Sequence, residues 1–143
     1  MKPNEGRLQS AEHILARVLK NQLKDITIGR SKFKKNNAYL DINSSEDLRE
    51  LDAKEIRTKV NEVISRNIKV NKPILSREEA KKVADLGKVP NSIRKVTIID
   101  FEGFDKTPCG DPHINNTKEI GKFSILAVKK VGANRYRFSF KVN

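Results

Sequence analysis

The stretch "FSILAVKKVGANRYRFSFKV", residues 123–142, sets two β-like runs on either side of "GAN" and reads as a hairpin. Runs joined by so short a turn lie antiparallel. A second unit of the same kind stands upstream, where "DITIGRSKF" and "AYLDI" flank the polar "KKNN", with Asn36 and Asn37 near the turn. Two hairpins make the sheet largely antiparallel, and the helical segments of the chain then have a sheet face to cover.

Those helical segments are read from apolar spacing. Leu8, Ala11, Ile14, Leu15, Val18 and Leu19 recur three and four apart, which predicts an amphipathic helix ending near Leu23. "SSEDLRELDAKEIRTKVNEVISRN" is the longest helical pattern, with Leu48, Leu51, Ile56, Val60, Val63 and Ile64 as its buried stripe. Ser76 and Glu79 fit a capping box that opens a short helix running to about Leu86. Pro73, in the extended "IKVNKPIL", marks a strand edge or end, and "IRKVTIIDFEG" reads as a buried strand. The expected fold is α+β, with helices packed on one face of a largely antiparallel sheet and one domain over residues 1–143.

Composition narrows the partners. Thirty Lys and Arg against 18 Asp and Glu leave a net charge of +12 in 143 residues, more than solubility requires, which points to a polyanion. Aromatic residues make up 6% and form no stacking pattern, which favours a folded RNA held by its phosphates over a single strand. One cysteine excludes an internal disulfide and suits a reducing compartment. No run approaches a membrane span or resembles a signal peptide, so the expectation is a soluble, cytoplasmic protein without membrane contact.

The chain confines its metal-capable side chains to two stretches. His13 lies in "QSAEHILARVL", four residues after Gln9 and on the same helical face. Cys109 and His113 lie in "PCGDPHINNTKEIG", where glycine and proline shape a loop that aims both at one point. Thiolate and imidazole together favour zinc. Taken singly, the pair is as readily a small buried thiol and a loop histidine, and His13 an ordinary helix residue.

"SAEHIL", "CGDPH" and "NNTKEIG" together resemble the editing-domain family shared by alanyl-tRNA synthetase and the freestanding AlaX proteins, and more distantly the editing domain of threonyl-tRNA synthetase. The likeness covers nearly the whole chain and is to the short AlaX form. The family pattern runs approximately H-T-A-x-H-I-L, then C-G-G-T-H, then N-T-G-E-I-G. His13 matches the second histidine of the first motif, Cys109, Gly110 and His113 match the second, and Asn116, Thr117, Glu119, Ile120 and Gly121 the third. "AYLDI" looks like the family's R-F-D-F strand. Gln9 replaces the first histidine, and Asp111-Pro112 replace glycine-threonine, the Pro112-His113 pair being closer to the threonyl type.

The resemblance implies zinc as cofactor, held by His13, Cys109 and His113 with Gln9 as a weak fourth ligand. It implies hydrolysis of mischarged tRNA, chiefly serine or glycine on alanine tRNA. Two alternatives stand beside it: a non-catalytic tRNA-binding relative whose metal site decayed at Gln9, and a deacylase of serine on threonine tRNA, for which Pro112-His113 speaks. Recognition of a serine hydroxyl needs a polar partner, which the family carries on the strand after the first helix, where Thr27 and Ser31 bear hydroxyls. Gly110 and Asp111 of the second motif join them as substrate-side residues. Acceptor-stem phosphates fall to Arg30, Lys32, Lys34 and Lys35 on the first hairpin, and to Lys129, Lys130, Arg135, Arg137 and Lys141 on the last.

Overall fold

Caps and turns decide where the helices start and stop. The computed structural model describes residues 4–143. Helix α1, Glu5–Gln22, buries Leu8, Ala11, Ile14, Leu15, Val18 and Leu19 as the spacing predicts and gives way to extended backbone at Leu23. Strands β1, Thr27–Phe33, and β2, Asn37–Asn43, form the first hairpin, and the Lys34 amide closes its turn on the Asn37 carbonyl at 2.8 Å.

The long helical pattern that follows is broken in two. A single 3₁₀ turn, Leu48–Glu50, precedes helix α2, Ala53–Ser65, so α1 and not this segment is the longest helix. Two aspartates cause the break. Asp47 accepts the Arg49 amide and Asp52 accepts those of Lys54 and Glu55, each from an extended conformation, so the helix restarts at the second cap. Leu48 stays buried all the same.

The Ser76/Glu79 capping box forms, but helix α3, Arg77–Lys81, ends short of Leu86. Asp85 accepts the Gly87 amide at 2.9 Å and turns the chain there, while Leu86 packs into a small apolar cluster. Strands β3, Val70–Asn71, and β4, Ile74–Ser76, straddle Pro73, whose carbonyl still accepts the Ile98 amide at 2.9 Å. Strand β5, Lys95–Phe101, is followed by a turn at Gly103, φ +72°, into β6, Asp105–Pro108, a strand that the pattern of "DKTP" does not announce. Strands β7, Phe123–Gly132, and β8, Arg135–Val142, make the predicted second hairpin, with Asn134 supplying the positive φ of its turn.

Two antiparallel sheets result. In the first, the order is β1-β2-β8-β7. In the second, β5 is central, with β3 and β4 along one edge and β6 along the other. α1 and α2 cover one face of the first sheet, where Leu40, Ile42, Phe123, Phe138 and Phe140 meet Ile14, Leu15 and Val60. Ile99 and Phe101 of β5 join the same core, while Val96 and Ile98 face Ala80 and Leu86. No helix packs on the other face of the first sheet among the described residues. Both edge strands carry bulges, in β1 between Ile28 and Ser31 and in β7 between Ile125 and Ala127 and again near Gly132.

Candidate metal centre

The loop after β6 is clamped to α1. A side chain at Gly6 would meet the His113 backbone at 3.5 Å, so the first turn of α1 rests on that backbone. The Ser10 hydroxyl donates to the Gly6 carbonyl at 2.7 Å and accepts the Ile114 amide at 3.1 Å. Lys72 donates to the His113 carbonyl at 2.9 Å and to the Asn115 side chain at 2.8 Å.

The downstream motif supplies the rest of the clamp. Asn116 and Glu119 form a second capping box around a 3₁₀ turn, Thr117–Ile120. The fully buried Thr117 hydroxyl donates to the Ile64 carbonyl and accepts the Ile68 amide, both at 2.9 Å. Arg7 donates to the Ile120 carbonyl at 2.8 and 3.0 Å. "NNTKEIG" is thus scaffold, fixing the loop against α1 and α2 without adding a reactive group.

Held this way, His13, Cys109 and His113 bring one ligand atom each to within 4.8 Å of one another, although a hundred residues separate the histidines in sequence. The two Nε2 atoms stand 3.1 Å apart, with the rings edge to face at 87°. Two imidazole nitrogens on one tetrahedral zinc, at roughly 2.0–2.1 Å each, lie about 3.3 Å apart, so the pair fits a shared ion. Nδ1–H of His113 donates to the Asp111 carbonyl at 2.7 Å, which fixes the tautomer and turns the Nε2 lone pair inward. Phe101 backs the His13 ring at 5.9 Å between centroids.

Burial keeps both histidines neutral, the form that ligates. It lowers the His13 pKa to about 3, helped by the His113 and Lys20 charges, and also lowers that of His113 against the opposing bond to Asp111. Burial likewise raises the Cys109 thiol to about 11 without metal, so a cation must displace its proton for the sulfur to bind. Gln9 lies one turn before His13 and is only 4% exposed. Glu12, which the sequence did not single out, has its carboxyl pushed up to about 7 by burial and the Asp111 charge, against the pull of Lys88. Nothing local marks it, because only the fold brings residue 111 to residue 12.

The remaining predicted residues divide. Ser31 pairs with the core residue Leu40 and so turns to the α1 side of the sheet. Thr27 pairs with Asn43, takes a hydrogen bond from its amide at 3.1 Å, and turns to the other side. Gly110 is exposed, with nothing within 4 Å of a Cβ built there. Asp111 is exposed as well, its carboxylate 3.5 Å from the Cys109 sulfur. Arg30, Lys32, Lys34, Lys35, Lys129, Lys130 and Arg135 are exposed. Arg137 is engaged, bound to Asp41 at 2.8 and 3.1 Å and lying 3.8 Å over the Tyr39 ring. No helix of the described residues is long and apolar enough to cross a membrane.

Comparison with known proteins agrees with the geometry. Residues 96–139, which include Cys109 and His113, match the family described as threonyl and alanyl tRNA synthetase second additional domain. The alanine–tRNA ligase of Methanococcus aeolicus is 30% identical over 148 residues, covering 98% of this chain and 16% of the ligase. The alanyl-tRNA editing protein AlaX-M of Saccharolobus solfataricus is 34% identical over 92 residues, 62% of this chain and 39% of that protein. The chain therefore spans well under half the length of these curated relatives. With the histidine and cysteine motifs gathered at one point and the likeness running along almost all of its length, this chain belongs to the AlaX-type editing-domain family.

Proposed function

We propose that this protein hydrolyses the ester of mischarged alanine tRNA, releasing serine or glycine, in the cytoplasm where charged tRNA is used. The convergence of His13, Cys109 and His113 from motifs a hundred residues apart carries this reading. Zinc on these residues, with Gln9 as a weak fourth ligand, would supply Lewis acidity at the ester carbonyl or hydroxide near neutral pH.

The chain's own residues do the positioning. The Asp111 carbonyl orients His113 through Nδ1, and Cys109 brings the one anionic ligand of the three. Ser31, on the α1 side of β1, is the hydroxyl disposed to pair with a serine substrate, whereas Thr27 faces away. An apolar pocket alone discriminates an added hydroxyl by only about 10²-fold, so such a polar partner is required for serine over alanine.

A deacylation panel tests the reading. Seryl- and glycyl-tRNA for alanine should be cleared and alanyl-tRNA spared, and a chelator or Cys109→Ala should stop the reaction. A full rate in Cys109→Ala would refute the zinc mechanism. Turnover confined to seryl-tRNA for threonine would move the substrate to the threonyl side. Binding of tRNA without any hydrolysis, even with added zinc, would make this a non-catalytic relative.

A further inference from the structure

The carboxylates are unevenly distributed. Glu5, Glu12, Glu55, Glu62, Glu78 and Glu79 all lie on α1, α2 and α3, whereas β1, β2, β7 and β8 contain one carboxylate, Asp41. Strand alternation turns Tyr136, Phe138, Phe140 and Val142 to the helices, and Arg135, Arg137, Ser139 and Lys141 to the uncovered face. Register places Lys129 opposite Arg137 on that face, and Lys32 opposite Tyr39. The lone carboxylate is 2% exposed and neutralised by Arg137, which itself lies over Tyr39. The face offers cations, hydroxyls and the aromatic edge of Tyr39, with no free anion.

We propose that this uncovered face of the β1-β2-β8-β7 sheet docks the phosphate backbone of an RNA helix. The choice of RNA over other polyanions rests on the hydrolase reading above. His13, on α1, and His113, beside it, lie on the helix side of the sheet, so the body of the RNA lies away from the candidate metal cluster and its single-stranded 3′ end turns round an edge. β1 is the edge that suits this path. Lys32 faces the docking surface, the adjacent Ser31 faces α1, and Lys88, bonded to the Ile28 carbonyl at 2.6 Å, adds a cation beside Glu12.

The test compares two double variants of equal charge change. Lys32→Glu with Lys129→Glu alters the sheet face, and Lys54→Glu with Lys81→Glu alters exposed positions on α2 and α3. Binding is read on uncharged tRNA by fluorescence anisotropy across a salt series, with circular dichroism to verify folding. The sheet-face variant should bind about ten- to fifty-fold more weakly near 0.1 M salt, and its log–log salt slope should fall by about 1.5. The helix variant should bind within about twofold of the unaltered protein.

Equal losses in both variants would mean that net charge alone attracts RNA, and no loss in either would place the RNA elsewhere. Equally tight binding to phosphatidylserine vesicles, lost in the same variant, would make the face a general polyanion surface. Each of these overturns the proposal. Because uncharged tRNA has no ester, a protein that binds through this face but hydrolyses nothing defeats only the hydrolase reading. Hydrolysis of seryl-tRNA that survives the sheet-face changes with binding intact defeats only the docking surface.

Discussion

Gln9 concentrates the question of metal affinity in one side chain. It is buried one turn before His13, and an amide oxygen is a weaker zinc ligand than imidazole. Gln9→His should therefore tighten zinc binding by about tenfold or more, read by competition with a chromophoric chelator. Equal or weaker binding would remove Gln9 from the site. The three firm candidates were legible in sequence because histidine and cysteine are so scarce here that their clustering in two stretches is itself a signal. Glu12 was not, since nothing in a lone helical glutamate announces that Asp111 and Lys88 will face it. Thr27 and Ser31 looked equivalent as strand hydroxyls, and only the pairing register, interrupted by a bulge after Ile28, separates the faces they occupy.

The elements that hold the site depend on backbone features that apolar patterns reveal poorly. Gly121 adopts φ +82° at the end of the "NNTKEIG" turn, and a Cβ there would run into the Asn143 carbonyl oxygen and stand 2.7 Å from the Arg7 guanidinium. Gly103 has a similar φ of +72°, but a Cβ there would meet nothing within 4 Å. Gly121→Ala should accordingly destabilise the protein by more than the roughly 1–2 kcal/mol of left-handed strain expected for Gly103→Ala, measured by urea unfolding of the two variants side by side. It should also loosen Arg7 from Ile120, and with it the seat of α1 on the motif loop. Equal losses would show that the close approach at Asn143 relaxes freely. Hairpins, the α3 capping box and the apolar stripe of α1 could be read from sequence because their signals are local. The split at Asp52 could not, since an aspartate inside a charged helical pattern looks like one more solvated residue until its side chain caps the amides ahead of it. β6 escaped for a related reason: "DKTP" becomes a strand by pairing with β5, not by its own preference.

At the scale of the molecule, the candidate metal cluster of His13, Cys109 and His113 lies on the helix side of the first sheet, and Lys32, Lys129, Arg135 and Lys141 turn to the other, so the proposed chemistry and RNA affinity should respond to different substitutions. Cys109→Ala should leave tRNA binding and its salt dependence nearly unchanged while abolishing release of serine, checked by anisotropy and deacylation on the same preparation. A matched loss of binding would mean that the loop itself grips the RNA. The bulged outer strands carry one further consequence. β1 and β7 are the two outer strands of the sheet, the positions at which a strand from another copy would add, and Leu126 is half-exposed on one of them. The kinks after Ile28 and Ile125, with Arg30, Lys32 and Lys129 beside them, oppose that pairing by shape and by mutual repulsion. On the docking proposed above, resistance to fibrillar self-association and attraction to nucleic acid would rest on the same few lysines and arginines, and a lineage that neutralised them would lose both together.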